Sequence, residues 1–121
     1  RPLSSMTPTL VLKDGKVALV TGSPGGPRII TTVLQTIVNT IDYGMNPAEA
    51  AATLRFHHQW MPDKLRLEKG FSQDTLNLLK ARGHKIVVKP AMGRTQTIQV
   101  QGDRLLGASD PRNPDGRTLG Y

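Results

Sequence analysis

A glycine-rich turn set between a strand and a long uncharged helix constrains this chain more than any other feature. The turn is Thr21-Gly22-Ser23-Pro24-Gly25-Gly26. The apolar run Val17-Ala18-Leu19-Val20 precedes it and reads as a strand; a helical pattern opens after it at Pro27. A turn of this kind leaves backbone N–H groups bare, with the positive end of a helix dipole behind them. Such donors can hold a bound anion or a charge that develops during acyl transfer.

The strand before the turn is half of a predicted hairpin. Thr9-Leu10-Val11-Leu12-Lys13 and Lys16 to Val20 flank Asp14-Gly15, and Asp-Gly suits the positive φ values of a type I′ turn. The helix after the turn is predicted from Pro27 to about Tyr43, with Ile30, Val33, Leu34, Ile37, Val38 and Ile41 at helical spacing. No charge lies between Arg28 and Asp42, so the helix is expected to pack on more than one neighbour. A chain of 121 residues is not expected to supply all of that cover.

Asn46-Pro47-Ala48-Glu49 carries the signature of a capped short helix ending near Leu54. Arg55 to Trp60 reads as extended or irregular, and Leu65-Arg66-Leu67-Glu68 as a short strand. Ser72 caps a third helix that ends at Gly83. Lys85 to Lys89 is a strand, and Thr97 to Gln101 with Leu105-Leu106 forms a second hairpin around Gly102-Asp103. The tail from Asp110 to Tyr121 is loop. The class expected is α+β: mostly antiparallel strands with helices against the sheet, in one partial domain over residues 1–121.

Composition narrows the chemistry. There are no cysteines, which removes disulfides, thiol catalysis and Cys-ligated metal. The net charge is +7, but Lys and Arg are scattered and no aromatics interleave the densest run, Lys80 to Arg94, to stack on bases. The excess is read as belonging to a piece whose acidic complement lies elsewhere. No apolar run reaches membrane-spanning length.

Four groups of residues could carry function, and each has a structural alternative. The glycine turn lacks the spacing of a dinucleotide fingerprint, the Lys-Ser/Thr of a phosphate loop and the geometry of a nucleophile elbow. What remains is a pair of backbone donors, Gly25 and Gly26, or simply a tight turn that glycine permits. Ser4 and Ser5, after Pro2, could together hold a carboxylate, or belong to a solvated terminus. His57 and His58 point to opposite faces of an extended chain and cannot easily share a metal. Arg55, Asp110 and Arg112 suit a structural ion pair or a loop anchor.

Taken together, these segments resemble the small, C-terminal subunit of gamma-glutamyltranspeptidases. The resemblance runs through Arg1-Pro2-Leu3-Ser4-Ser5-Met6-Thr7-Pro8-Thr9, Thr21-Gly22-Ser23-Pro24-Gly25-Gly26 and Ile41-Asp42-Tyr43-Gly44. It continues through Arg55-Phe56-His57-His58-Gln59-Trp60 and Gly107-Ala108-Ser109-Asp110-Pro111-Arg112 to Gly120-Tyr121. It implies the N-terminal nucleophile hydrolase fold, an αββα sandwich, in a precursor that cuts itself. The new N-terminal Thr of the small subunit attacks a γ-glutamyl amide such as glutathione, and water or an acceptor amine resolves the γ-glutamyl-enzyme. Carried over by residue, the resemblance makes Gly25 and Gly26 the oxyanion hole and Ser4 and Ser5 the hydroxyls that hold the glutamyl α-carboxylate. The nucleophile falls upstream of Arg1, so the chain by itself is expected to be inactive. The implied partners are the large subunit and the N-terminal part of the small one. No cofactor or metal is implied, and the implied location is periplasmic or extracellular. Two other readings remain: a non-catalytic anion-binding module, and a related acylase acting on cephalosporin side chains or poly-γ-glutamate.

Overall fold

The computed structural model describes residues 7–120. Strands β1 (Thr9–Lys13) and β2 (Lys16–Gly22) form the expected hairpin. Asp14 and Gly15 take φ values of 52° and 75°, as a type I′ turn requires. A single 3₁₀ turn, Gly26–Arg28, leads into α1 (Ile29–Ile41). Helix α2 (Pro47–Ala52) opens on a complete capping box: Glu49 N–H donates to the Asn46 side chain, and Asn46 N–H to the Glu49 carboxylate, both at 2.9 Å.

Strand β3 (Phe56–His57) and β4 (Leu65–Glu68) pair antiparallel. Helix α3 (Gln73–Ala81), capped by Ser72, then crosses to β5 (Ile86–Lys89), which lies parallel to β4. That parallel pair is a departure from an otherwise antiparallel set, and the α3 crossover is what makes it possible. Strands β6 (Gln96–Gln101) and β7 (Arg104–Ser109) close the chain as a hairpin. The result is two sheets, β1-β2-β6-β7 and β3-β4-β5.

The four-stranded sheet has two unlike faces. Thr21, Thr97 and Ala108 stand opposite one another across β2, β6 and β7 and are buried. Helices α1 and α2 contact these same strands. The alternate row includes Leu10, Val20 and Ile98, and Leu10 and Ile98 are exposed. Alternation therefore yields a second apolar face that the described residues do not cover.

Helix α1 leaves part of its apolar surface uncovered, as expected of a chain this short. Ile29, Thr32, Val33, Thr36 and Thr40 are its buried residues. Of the apolar residues at helical spacing, Val33 is buried, Ile37 and Val38 are half-buried, and Ile30, Leu34 and Ile41 are 55%, 56% and 53% exposed. Threonine can line a buried helix face because its hydroxyl bonds back to the preceding turn. Thr36 Oγ1 donates to Thr32 O at 3.0 Å, and Thr40 Oγ1 to Thr36 O at 2.9 Å. With those two hydroxyls satisfied internally, Thr36 and Thr40 are buried without an unpaired polar group.

Candidate functional site

The glycine turn sits where β2 ends and the helix begins. Gly25 has φ 145° and Gly26 φ 61°, values that side chains rarely tolerate. Among the described residues no acceptor takes either N–H. No acidic residue occupies the first helical turn, so nothing there offsets the partial positive charge of the helix start. Arg28 adds a full positive charge one residue after Pro27. Two uncommitted amides in that field can receive a negative oxygen.

Behind the turn lies the loop Ala91–Arg94. The buried Ser23 side chain joins the two, accepting from Arg94 N–H at 2.9 Å and donating to Pro24 O at 2.8 Å. Gly93 is pressed against the head of α1. A Cβ on it would stand 2.7 Å from Thr32 Cγ2, 2.8 Å from Thr32 Oγ1 and 3.1 Å from Ser23 Oγ, and its φ is 72°. The two segments frame a cleft of about 340 Å³ lined by Pro24, Gly25, Arg28, Gly93, Arg94 and Arg112, among others. Its charged lining is entirely cationic.

The loop is held from below by a buried ionic network. Arg55 Nη2 donates to Asp110 Oδ2 at 2.6 Å, and Arg55 Nη1 to Met92 O at 2.9 Å. Glu68 accepts from Met92 N–H at 2.6 Å, from Arg55 N–H at 2.9 Å and from Arg112 Nε at 2.8 Å. Asp110 also accepts the N–H groups of Thr95 and Arg112. Burial alone would raise both carboxyls. For Glu68 the Arg112 guanidinium and two backbone amides outweigh it and hold the group below its ordinary value. For Asp110 the amides of Arg112 and Thr95, with Arg55, have the same result. Burial lowers Arg55 while Asp110 pulls it back, and a guanidinium stays charged regardless. For Arg112 the burial penalty is exceeded by Glu68, which raises it.

Several sequence-predicted residues find definite places. Arg55, Asp110 and Arg112 do come together, as an anchor rather than a reactive set. Glu68, in a strand of ordinary alternation, is the member that sequence reasoning missed; it should point with Arg66, yet it turns into the network. Ser23 was seen only as part of the turn, and the Ala91–Arg94 loop was not seen at all. His57 is buried between Thr31 Oγ1 at 2.8 Å and Gln59 Oε1 at 2.9 Å, whereas His58 is exposed beside Asp63. Ser4 and Ser5 lie outside the described residues.

The comparisons with known proteins point one way. The family model for gamma-glutamyltranspeptidase matches residues 1–120. A glutathione hydrolase proenzyme of Escherichia coli is 67% identical over the whole chain, which spans 21% of that relative's length. A mutant gamma-glutamyltranspeptidase structure from Helicobacter pylori superposes with TM-score 0.88 at 55% identity, covering 93% of this chain and 63% of that one. The gamma-glutamyltranspeptidase of Pseudomonas nitroreducens complexed with L-DON gives 0.85 at 38% identity, covering 98% and 62%. The α+β arrangement, part of an N-terminal nucleophile hydrolase sandwich, is thus the fold observed in these enzymes.

Proposed function

The chain belongs to the gamma-glutamyltranspeptidase family, and from that premise we propose that it is the C-terminal part of an enzyme acting on γ-glutamyl amides such as glutathione. It spans about a fifth of the curated relative it matches end to end, so the activity belongs to a longer polypeptide. In this reading a Thr outside the 121 residues attacks the γ-glutamyl carbonyl. The N–H groups of Gly25 and Gly26 receive the oxygen as it becomes negative. Ser4 and Ser5 hold the α-carboxylate of the glutamyl group. The γ-glutamyl-enzyme then passes to water or to an acceptor amine.

One observation carries the proposal: the two amides at the head of α1 have no acceptor among the described residues, in a turn whose φ values keep them bare. Donors fixed before the reaction stabilise the transition state without having to reorganise. High identity to a glutathione hydrolase proenzyme over the whole chain favours glutathione-class amides over the acylase alternatives. The bare second face of the four-stranded sheet and the outward stripe of α1 fit a chain completed by the rest of the precursor, including its large subunit. Export to the periplasm or beyond is proposed on family resemblance alone.

The test uses the full-length enzyme. Gly25→Val or Gly26→Val is expected to lower kcat by roughly 10²–10³ while KM changes much less. An unchanged kcat removes the oxyanion assignment. The isolated chain is expected to release no p-nitroaniline from γ-glutamyl-p-nitroanilide, and clear turnover would show that the nucleophile lies within it.

A further inference from the structure

A second cationic pocket shares Arg28 with the glycine cleft and opens on one face of the three-stranded sheet. Alternation along β3, β4 and β5 sends His57, Arg66 and Val87 to that face, where they stand opposite one another in register. Lys64 and Lys89 extend the same face, and Arg28 closes the pocket from the start of the helix. The volume is about 400 Å³. Its lining has four cationic side chains and no carboxylate.

Two facts make this pocket unlike an ordinary basic surface. Arg28 Nε and Arg66 Nε are both buried and have no hydrogen-bond partner among the described residues. A buried charged donor without an acceptor is costly. The two guanidiniums are also near enough to repel, since Arg28 acts with burial to lower Arg66, against a smaller pull from Glu68. Arg66 reaches only Pro90 O, at a long 3.4 Å through Nη2. Paired arginines whose Nε groups lack acceptors are complementary to a planar carboxylate.

We propose that this pocket receives an acidic side chain from the part of the precursor outside these 121 residues. The chain carries a net charge of +7 and spans only about a fifth of its matched relative. A carboxylate seated between Arg28 and Arg66 would give both Nε groups an acceptor and relieve their repulsion. The proposal rests on family membership and not on the oxyanion reading, and its test reads no activity.

Zero-length carbodiimide coupling of the native full-length protein tests it directly. The reagent activates a carboxylate, the neighbouring lysine amine forms an amide, and the reagent leaves as its urea. Lys64 and Lys89 already line the pocket, and R66K places a third amine in it. Lys85 and Asp63, 2.9 Å apart, supply an internal control link. The expected result is a cross-linked peptide joining position 64, 66 (in R66K) or 89 to an Asp or Glu outside this chain. Formation of the control link without any pocket link overturns the proposal. A second measurement labels Arg28 and Arg66 with phenylglyoxal, and the expected rate is at least tenfold below that of the urea-unfolded protein, with or without inorganic phosphate. Protection that appears only when phosphate is added also overturns it, in favour of a site for a free anion.

Discussion

Arg55 and Arg112 reach carboxylates of their own chain, whereas Arg28 and Arg66 meet each other across a pocket with none. The first pair, Arg55 just before β3 and Arg112 just after β7, makes a closed set of bonds to Glu68, Asp110 and backbone carbonyls. The second leaves two buried Nε groups unfilled. Both sets are built from the same residue type in the same small unit, so arginine content says little about which part of a fold is finished. What separates them is the supply of acceptors. The completed network also has a job: through Met92 it fixes the loop whose Arg94 N–H holds Ser23, and so it stands behind the glycine turn.

The strongest way to break this contrast is Asp110→Ala in the full-length protein. It strands the buried Arg55 guanidinium, so the expected loss is about 3–5 kcal/mol of stability, read by urea unfolding. A loss no greater than that for an exposed charge would mean the network is not closed at all. Gly93→Ala tests the link from network to turn. The new methyl meets Thr32 at a strained φ, for an expected cost of about 1–3 kcal/mol. Because Ser23 is displaced with it, kcat should fall more than KM rises; an equal change in both would detach the loop from catalysis.

Acid sharpens the contrast further. Glu68 and Asp110 sit below their ordinary values of 4.5 and 3.8. Their contribution is therefore fully present above those values and is lost as pH falls through the lower folded-state ones. Arg112→Gln withdraws the hydrogen bonds that depress Glu68, so the acid-unfolding midpoint, followed by circular dichroism, should move up in pH. A midpoint that stays put would assign the depression to the backbone amides alone. The smallest effect is expected from Asp63→Asn. Its pair with Lys85 is exposed on both sides, and the melting temperature should not change measurably.

Much of the fold was legible because local chemistry decided it. Asp14-Gly15 fixed a turn, Asn46-Pro47-Ala48-Glu49 a cap, and Ser72 and Gly83 the limits of α3. That α1 would be left partly uncovered was legible from its lack of charge, but which of its residues face inward was not. A hydropathy pattern finds the apolar residues but not that Thr32, Thr36 and Thr40 share the inward face with Ile29 and Val33, where Thr36 and Thr40 bond back to the preceding turn. The direction of β5 was hidden for a related reason, since a strand's sequence does not say which neighbour it joins after a helical crossover. In the site, Gly25 and Gly26 stood out from their spacing between strand and helix. Glu68, Ser23 and the Ala91–Arg94 loop did not, because their role arises from contacts 24 to 71 residues away in sequence.

The outward aliphatic row of α1 has a practical consequence for anyone engineering this segment. Assayed as a short piece, Ile30→Ser or Leu34→Ser would register as harmless or even as gains in solubility, because water already surrounds those positions. In the longer polypeptide proposed above, the same changes would place hydroxyls where the rest of the precursor is proposed to pack. Mutational maps gathered on the excerpt would thus invert on the whole molecule along one side of a single helix.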